Sequence, residues 1–436
     1  MNMLKKSLTA LVLLGGLGAP VVAHATPAAA EAASEVQVAW VDGKVRISWT
    51  EAAGIPNTVS LELPGKPRKT LGTTTAAGDN QLVVEPSALE PTNDPASVAK
   101  IVVSDPSTAE ARSAGFDRYV RGATPLAPVM TGTGVLNWQF PADTAVDSTP
   151  NDPLDVDAPV QFVPKLTLGV TPGTTDECKT VVLPATTAPY GSVPKQISPY
   201  ALELLNVSEW GQSKLAGVRV RSSSTAFSTP ASTGYGTRIT MTGSILLQTL
   251  QNPAAGNCED VTDTAALGGH ELALQAREDG GAWYAVGVSK TDAQGKYQFV
   301  VSNPGARQYR AVLKTAAASG AAHYQSISAE RSVRATPQVI DASFADDTIT
   351  LGQQPNARVT VAPYGSHQVA LQFKNASGQW QGLMYRTLSA GRAESGPFAF
   401  SRLGDTQFRW WVASSTSTTG LPVDAGYTYP FTLHVS

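Results

Sequence analysis

The segment His270-Glu-Leu-Ala-Leu-Gln275 recurs further along the chain as His367-Gln-Val-Ala-Leu-Gln372. A tryptophan follows each copy, Trp283 after the first and Trp380 after the second, and both offsets are 97 residues (367 − 270 and 380 − 283). A fixed period of this kind indicates one structural unit that is used twice. Apolar residues alternate within each hexapeptide, as in a strand with one buried face. We therefore predict two consecutive β-sandwiches of about 100 residues each.

Two further matches extend the repeat. Tyr297-x-Phe299 corresponds to Phe398-x-Phe400, and Tyr309-Arg310 corresponds to Phe408-Arg409. Because successive side chains on a strand point to opposite faces, alternate apolar residues of the repeat belong to a core. The predicted core residues are Leu272, Leu274 and Trp283 in the first copy, and Val369, Leu371 and Trp380 in the second.

The rest of the 436-residue chain also consists of short alternating runs separated by turn residues. The runs Val36 to Trp40 and Val45 to Trp49 flank Asp42-Gly43, a dipeptide that favours a hairpin because both positions tolerate positive φ. Helical periodicity is nearly absent. At about 100–150 residues per domain, the length suits three or four domains. The predicted fold class is all-β, a tandem array of β-sandwich domains.

Two motifs in the first half of the chain resemble the fibronectin type III family. Val45-Arg-Ile-Ser-Trp49 is similar to the second strand of that family, and Tyr200-x-Leu-x-Leu-x-Asn206 followed by Gly211-x-Ser213 is similar to its sixth strand and the turn after it. The resemblance extends over residues 35–224. The repeated units further along resemble the Ig-like modules of bacterial exported proteins. Together these resemblances imply contact with a protein or a carbohydrate.

The chain is divided by composition into several segments. We predict a signal peptide at 1–25, a linker at 26–34, fibronectin III-like sandwiches at 35–126 and 127–224, and Ig-like sandwiches at 235–336 and 337–436. A Pro-rich stretch near Thr124 to Val129 is the predicted linker between the first two sandwiches. Ser222 to Gly234 is rich in Ser and Thr and is predicted to be a flexible joint.

The N-terminus has the pattern of a secretory signal. Lys5 and Lys6 precede an apolar run, and Ala23-His24-Ala25 provides a small-x-small cleavage pattern, so the mature chain is expected to start at Thr26. A cut near Ala28 to Ala30 and an uncleaved anchor are the alternatives. The expected location is extracellular, either secreted or associated with the cell surface, with no transmembrane anchor in the mature chain.

Cys178 and Cys258 are the two cysteines, and both lie in the part expected to be exported. An oxidising compartment favours one disulfide between them, with two buried thiols as the alternative. Because the pair would lie on either side of the predicted joint, the bond would tie the second sandwich to the third. Two cysteines are too few for a typical structural zinc site.

No catalytic or cofactor motif is present: the sequence lacks a Gly-x-Ser-x-Gly elbow, a P-loop, a dinucleotide fingerprint and a His-Glu-x-x-His pair. A formal net charge of -3 gives no basic field for nucleic acid. Carboxylates at Asp152, Asp155 and Asp157 form a weak calcium candidate, since calcium takes oxygen ligands. Their spacing matches no calcium loop, and a solvated loop is the simpler interpretation.

Trp410 and Trp411 are adjacent, and neighbouring residues of a strand face opposite ways, so both cannot enter one core. One of them is therefore a candidate exposed contact for a sugar ring or a partner, although core and interface packing would also account for the pair. We predict an exported, non-enzymatic protein that binds a protein or carbohydrate or serves as a structural module. The alternative is a carbohydrate-active hydrolase or its accessory, with a carboxylate pair in the second sandwich.

Overall fold

In the computed structural model, the described residues are 32–107, 109–121, 129–131, 133–139, 146, 148–156, 158–169, 178–252, 257–318 and 320–436. Their regular secondary structure is almost entirely β, and the strands build consecutive β-sandwiches, so the predicted fold class is confirmed. Two 3₁₀ helices of these residues span Pro86–Leu89 and Thr264–Ala266. The predicted signal peptide lies outside the described residues. The described residues form two compact units, one within 1–120 and 145–157 and the other within 121–144 and 158–436.

The first unit contains one sandwich. Its strands are β1 Ser34–Val41, β2 Lys44–Thr50, β3 Thr58–Glu62, β4 Lys69–Thr73, β5 Gln81–Val84, β6 Lys100–Ser104 and β7 Glu110–Arg112. The sheet β1-β2-β5 faces the sheet β4-β3-β6-β7. The predicted hairpin is confirmed, because Asp42 and Gly43 have positive φ between β1 and β2. Val45, Ile47, Leu61 and Ile101 are completely buried.

The second unit begins with the second sandwich. Its strands are β8 Val129–Met130, β9 Leu136–Gln139, β10 Gln161–Leu168, β11 Lys179–Val182, β12 Tyr190–Val193, β13 Tyr200–Ser208 and β14 Gly211–Ser228. The sheets are β12-β9-β8 and β11-β10-β13-β14, which is the same connectivity as in the first sandwich. Its core includes Leu136, Val193 and Leu202, all completely buried.

The third sandwich continues from β14. Its further strands are β15 Ser232–Gly234, β16 Arg238–Asn252, β17 Asn257–Thr262, β18 Glu271–Arg277, β19 Tyr284–Lys290, β20 Lys296–Ser302, β21 Arg307–Leu313, β22 Ala316–Ala318, β23 Ala321–His323, β24 Ser326–Ile327 and β25 Arg331–Thr336. Strands β14, β17 and β20 pair with β16, and the opposite sheet runs β15-β25-β21-β18-β19.

The fourth sandwich follows directly. Its strands are β26 Gln338–Phe344, β27 Thr348–Ile349, β28 Ala357–Ala362, β29 Gln368–Lys374, β30 Trp380–Thr387, β31 Arg392–Glu394, β32 Gly404–Val412, β33 Ser415–Thr416, β34 Pro422–Val423, β35 Gly426–Tyr427 and β36 Phe431–Val435. The sheet β26-β28-β31 faces the sheet β27-β36-β32-β29-β30.

The strand registers support the repeat. Leu274 lies opposite Ala311, and its counterpart Leu371 lies opposite Trp410. The predicted core residues Leu272, Leu274, Val369 and Leu371 are completely buried. The predicted core position of the two tryptophans is wrong, since Trp283 and Trp380 are only partly buried. They occupy equivalent positions outside the core, each under an arginine: Trp283 directly precedes the edge strand β19, and Trp380 is the first residue of the edge strand β30.

Two other expectations need correction. Tyr297 and Phe299 lie on β20, whereas Phe398 and Phe400 follow the shorter β31 and reach their core from a loop. The flexible joint at Ser222 to Gly234 is also wrong over most of its length, because β14 continues to Ser228 and pairs with β16 there. Ser and Thr are compatible with a hydrogen-bonded strand, and the ladder fixes this segment.

Candidate functional site

Three carboxylates of the first unit come together. Asp117, Asp152 and Asp155 have oxygen atoms within 4.8 Å of one another, while the third predicted member, Asp157, lies outside the described residues. The Asp152 carboxylate accepts hydrogen bonds from the backbone N–H groups of Asp117 and Leu154, both at 2.7 Å. These hydrogen bonds hold the loop around Asp152 in place. Asp117 was not among the predicted ligands, because it lies far from Asp152 in the sequence.

The predicted disulfide is confirmed. Cys178 and Cys258 are bonded, with their Cα atoms 5.4 Å apart. Cys178 directly precedes β11 of the second sandwich, and Cys258 lies on β17 of the third. Strand β17 belongs to a connection that the fourth sandwich lacks, since β28 is followed by β29 after only a short turn. The bond therefore joins two neighbouring sandwiches through an added element.

Buried and partly buried polar groups accompany this disulfide at the same junction. Strand β23 pairs in parallel with β14, and Arg221 of β14 forms a 2.7 Å ion pair with Asp263. His323 of β23 is buried, and its Nε2 lies 3.3 Å from Nδ1 of His270. Burial lowers the pKa of His323 from its ordinary value. His367 is the counterpart of His270 in the fourth sandwich, and the contact with His323 is made by His270.

The outer faces of the two repeated sandwiches share one polar row. In the third sandwich, Arg310 donates from Nε to Gln275 at 2.8 Å, and its guanidinium lies 4.2 Å from the ring centre of Trp283. In the fourth, Arg409 donates to Gln372 at 2.9 Å and lies 4.3 Å from the ring centre of Trp380. The repeated hexapeptide and tryptophan thus build an arginine site on the outside of each sheet.

A neighbouring row on the same faces differs between the copies. In the third sandwich, cross-strand pairing aligns four aliphatic residues: Val288, Ala273, Val312 and Ile327. In the fourth, the same register aligns Tyr385, Ala370, Trp411 and Tyr427. We call this set, together with Arg409, the aromatic face. These aromatic side chains distinguish the outer face of the fourth sandwich from that of the third.

The structure separates the two adjacent tryptophans. Trp410 is completely buried and donates from its indole N–H to the carbonyl of Arg358 at 3.2 Å, so it is a core residue. Trp411 points to the other side of the sheet and is partly buried within the aromatic face. The sequence identified the alternation but missed Tyr385 and Tyr427, which join Trp411 only through strand pairing.

Two shallow grooves lie elsewhere on the second unit. One, of about 540 Å³, is lined in the second sandwich by residues that include Val129, Trp138 and Tyr190, and no Asp or Glu is among its described lining residues. The other, of about 740 Å³, lies on the third sandwich near Lys290, Asp292 and Lys296. The Asp292 carboxylate accepts the backbone N–H groups of the turn that ends at Lys296, so it is a structural group.

No protein-family model and no curated protein matches the chain. Among solved structures, it is similar to a tetra-tandem repeat from the extending region of a large adhesion protein, with 14% identity, a TM-score of 0.23, and coverage of 92% of this chain and 98% of that one. The native E. coli alpha-2-macroglobulin gives 11% identity, a TM-score of 0.20, and coverage of 94% and 32%. Superpositions this poor support no inference about function. Within the described residues, no helix has the length and apolar character required to span a membrane.

Proposed function

We propose that this protein is an exported, non-enzymatic β-sandwich protein that binds its partner through the aromatic face of the fourth sandwich. The observation that carries the proposal is the contrast between the repeats. One scaffold holds an aliphatic row in the third sandwich and an exposed aromatic row in the fourth. Exposed aromatic clusters are typical of binding surfaces, because ring faces contribute large contact areas at a small entropy cost.

Export is supported by the disulfide and by the order of charged, apolar and small residues at the N-terminus. In this proposal the mature chain begins near Thr26. The first two sandwiches are assigned to the fibronectin III-like class, because both place a three-strand sheet against a four-strand sheet with one shared connectivity. The repeated pair is assigned to the Ig-like class.

A hydrolytic function is the weaker alternative. It requires two carboxyl groups that face a common cleft. The groove of the second sandwich, where such a pair was expected, has no Asp or Glu among its described lining residues. The acidic cluster at Asp117 already accepts several backbone hydrogen bonds. The residues described here therefore favour binding over catalysis.

Retention on the surface of cells that produce the protein tests this proposal. The variant Tyr385→Ser with Tyr427→Ser removes exposed rings without touching the core. The variant Val288→Ser with Ile327→Ser is the matched control, because it changes the equivalent positions of the third sandwich. We expect the first variant to be released into the medium and the control to be retained like the wild type. Equal retention of all three proteins would refute the proposed face.

A further inference from the structure

The aromatic face is open to solvent. Tyr385 is 69% exposed and Tyr427 is 54% exposed, whereas Ala370, which lies between Tyr385 and Trp411 in the row, is only 4% exposed. The small side chain of Ala370 therefore leaves a shallow depression between the larger side chains of Tyr385 and Trp411. The row crosses four adjacent strands, and a spacing of about 4.8 Å per strand gives it a length of about 14 Å. A surface of this shape suits an extended ligand made of linked rings with apolar faces.

A cation is held at the edge of this row. The Arg409 guanidinium lies 4.3 Å from the ring centre of Trp380 and 3.8 Å from that of Tyr427. Its Nε donates to Gln372 at 2.9 Å. Stacking fixes the plane of the group, and arginine carries its remaining N–H donors within that plane, where they suit a carboxylate. Arg409 is therefore a preorganised anion site beside the aromatic rings.

The pairing of charges in the two repeats differs at one position, where Arg277 of the third sandwich corresponds to Lys374 of the fourth (374 − 277 = 97). On the third sandwich, Arg277 also lies over Trp283 and forms a 2.8 Å ion pair with Glu330. Within the described part of the fourth sandwich, no carboxylate forms an ion pair with Arg409 or with Lys374 on the same face. The aromatic face therefore carries positive charge that its own sandwich leaves uncompensated.

We propose that the aromatic face binds an acidic polysaccharide. Sugar rings stack on Tyr385, Trp411 and Tyr427, and a carboxylate of the ligand accepts hydrogen bonds from Arg409. Aromatic faces attract the apolar faces of sugars, and the uncompensated cation selects an anionic chain over a neutral one. This inference rests on the proposed function, because it names the ligand class of the same face.

The test compares polygalacturonate with its methyl ester, which has the same backbone without the charge. Binding to the full mature chain is measured by isothermal titration calorimetry. We expect the acid to bind at least about tenfold more tightly than the ester, since a charge-assisted pair contributes on that scale. Arg409→Gln is expected to remove this preference, and Tyr385→Ser with Tyr427→Ser to abolish binding of both polymers.

Arg310→Gln is the matched control from the third sandwich and should leave both affinities unchanged. Melting temperatures establish that each variant is folded. Lys374→Gln provides a second charge variant if Arg409→Gln fails to fold, and it should reduce the preference for the acid. Equal affinity for acid and ester, or equal binding by poly-glutamate, would overturn the inference. If no polysaccharide binds while loss of Tyr385 and Tyr427 still releases the protein from cells, the ligand class fails and the proposed function stands.

Discussion

The two junctions within the second unit are built from different interactions. Between the second and third sandwiches, one strand, β14, belongs to both, and β23 of the third pairs with it in parallel. The Cys178–Cys258 disulfide adds a covalent link. Between the third and fourth, a loop docks: the N–H of Ala306 donates to Pro422, and that of Asp424 donates to Ala335, both at 2.8 Å.

The difference shows how a sandwich array combines a stiff part with a separable one. A shared strand cannot open without losing a ladder of backbone hydrogen bonds, whereas a docked loop opens at the cost of a few contacts. The second and third sandwiches should therefore unfold together. The fourth, which carries the aromatic face, is attached by the weaker junction. This arrangement is compatible with the proposed binding function of that face.

Removing the disulfide should have the largest effect. The double variant Cys178→Ala with Cys258→Ala opens a loop with a sequence separation of 80. In the chain-entropy model the loss of unfolding free energy is about 4 kcal/mol. Urea unfolding of the oxidised and variant proteins measures it. Only the transition of the second and third sandwiches should shift; a shift confined to the fourth sandwich would contradict the comparison.

Gly305→Ala should have the next largest effect, at the docked junction. Gly305 has a φ of 137°, and a Cβ there would overlap the Cβ of Leu421 from the fourth sandwich. Backbone strain and overpacking together should cost about 3 kcal/mol. Gly352→Ala is the control, because Gly352 has a φ of 98° but no atom near its added Cβ. Equal losses in the two variants would show that the docked loop contributes little.

Loss of the ion pair at the shared-strand junction should lower the free energy of unfolding more than loss of the ion pair at the docked junction. Arg221 and Asp263 have side chains only 17% and 21% exposed, so Arg221→Met should cost on the order of 2 kcal/mol. The Arg334 side chain is 68% exposed beside Asp424, and Arg334→Met should cause no measurable loss. Thermal unfolding of both variants measures the difference. A larger loss for Arg334→Met would reverse the ranking.

Acid should weaken the shared-strand junction slightly. Burial lowers the pKa of His323, which faces His270 and Arg221, so the folded chain keeps the ring neutral where the unfolded chain already binds a proton. Stability should therefore fall as pH drops through the unfolded value of about 6.5, and level off below the folded pKa. His323→Gln should flatten this dependence in thermal melts. His367→Gln, in the fourth sandwich, should leave it in place for the second and third.

The sequence predicted those features that depend on local pattern. The two hexapeptides predicted strands β18 and β29 and their buried leucines, because alternation is a property of one strand. Local pattern could not assign Trp283 and Trp380 to the outer face, because the arginines that cover them, Arg310 and Arg409, come from another strand. The continuity of β14 was missed for a similar reason: composition resembles a flexible joint, and only pairing with β16 shows otherwise.

The aromatic face itself depends on long-range pairing. Tyr385 and Tyr427 are separated along the chain and become neighbours of Trp411 only when β30, β29, β32 and β35 assemble. The disulfide was simpler to predict, because two cysteines in one chain allow a single intramolecular pairing.

Native-state hydrogen exchange tests the difference between the junctions most directly. We expect those amides of Ser222 to Ser228 in β14 that donate to β16 to exchange only through global unfolding, at the same rate as the core strands of the second and third sandwiches. The amides of Ala306 and Asp424, which donate across the docked junction, should exchange faster through local opening. Equal protection at both junctions would show that the fourth sandwich is held as firmly as the others, and would contradict the account.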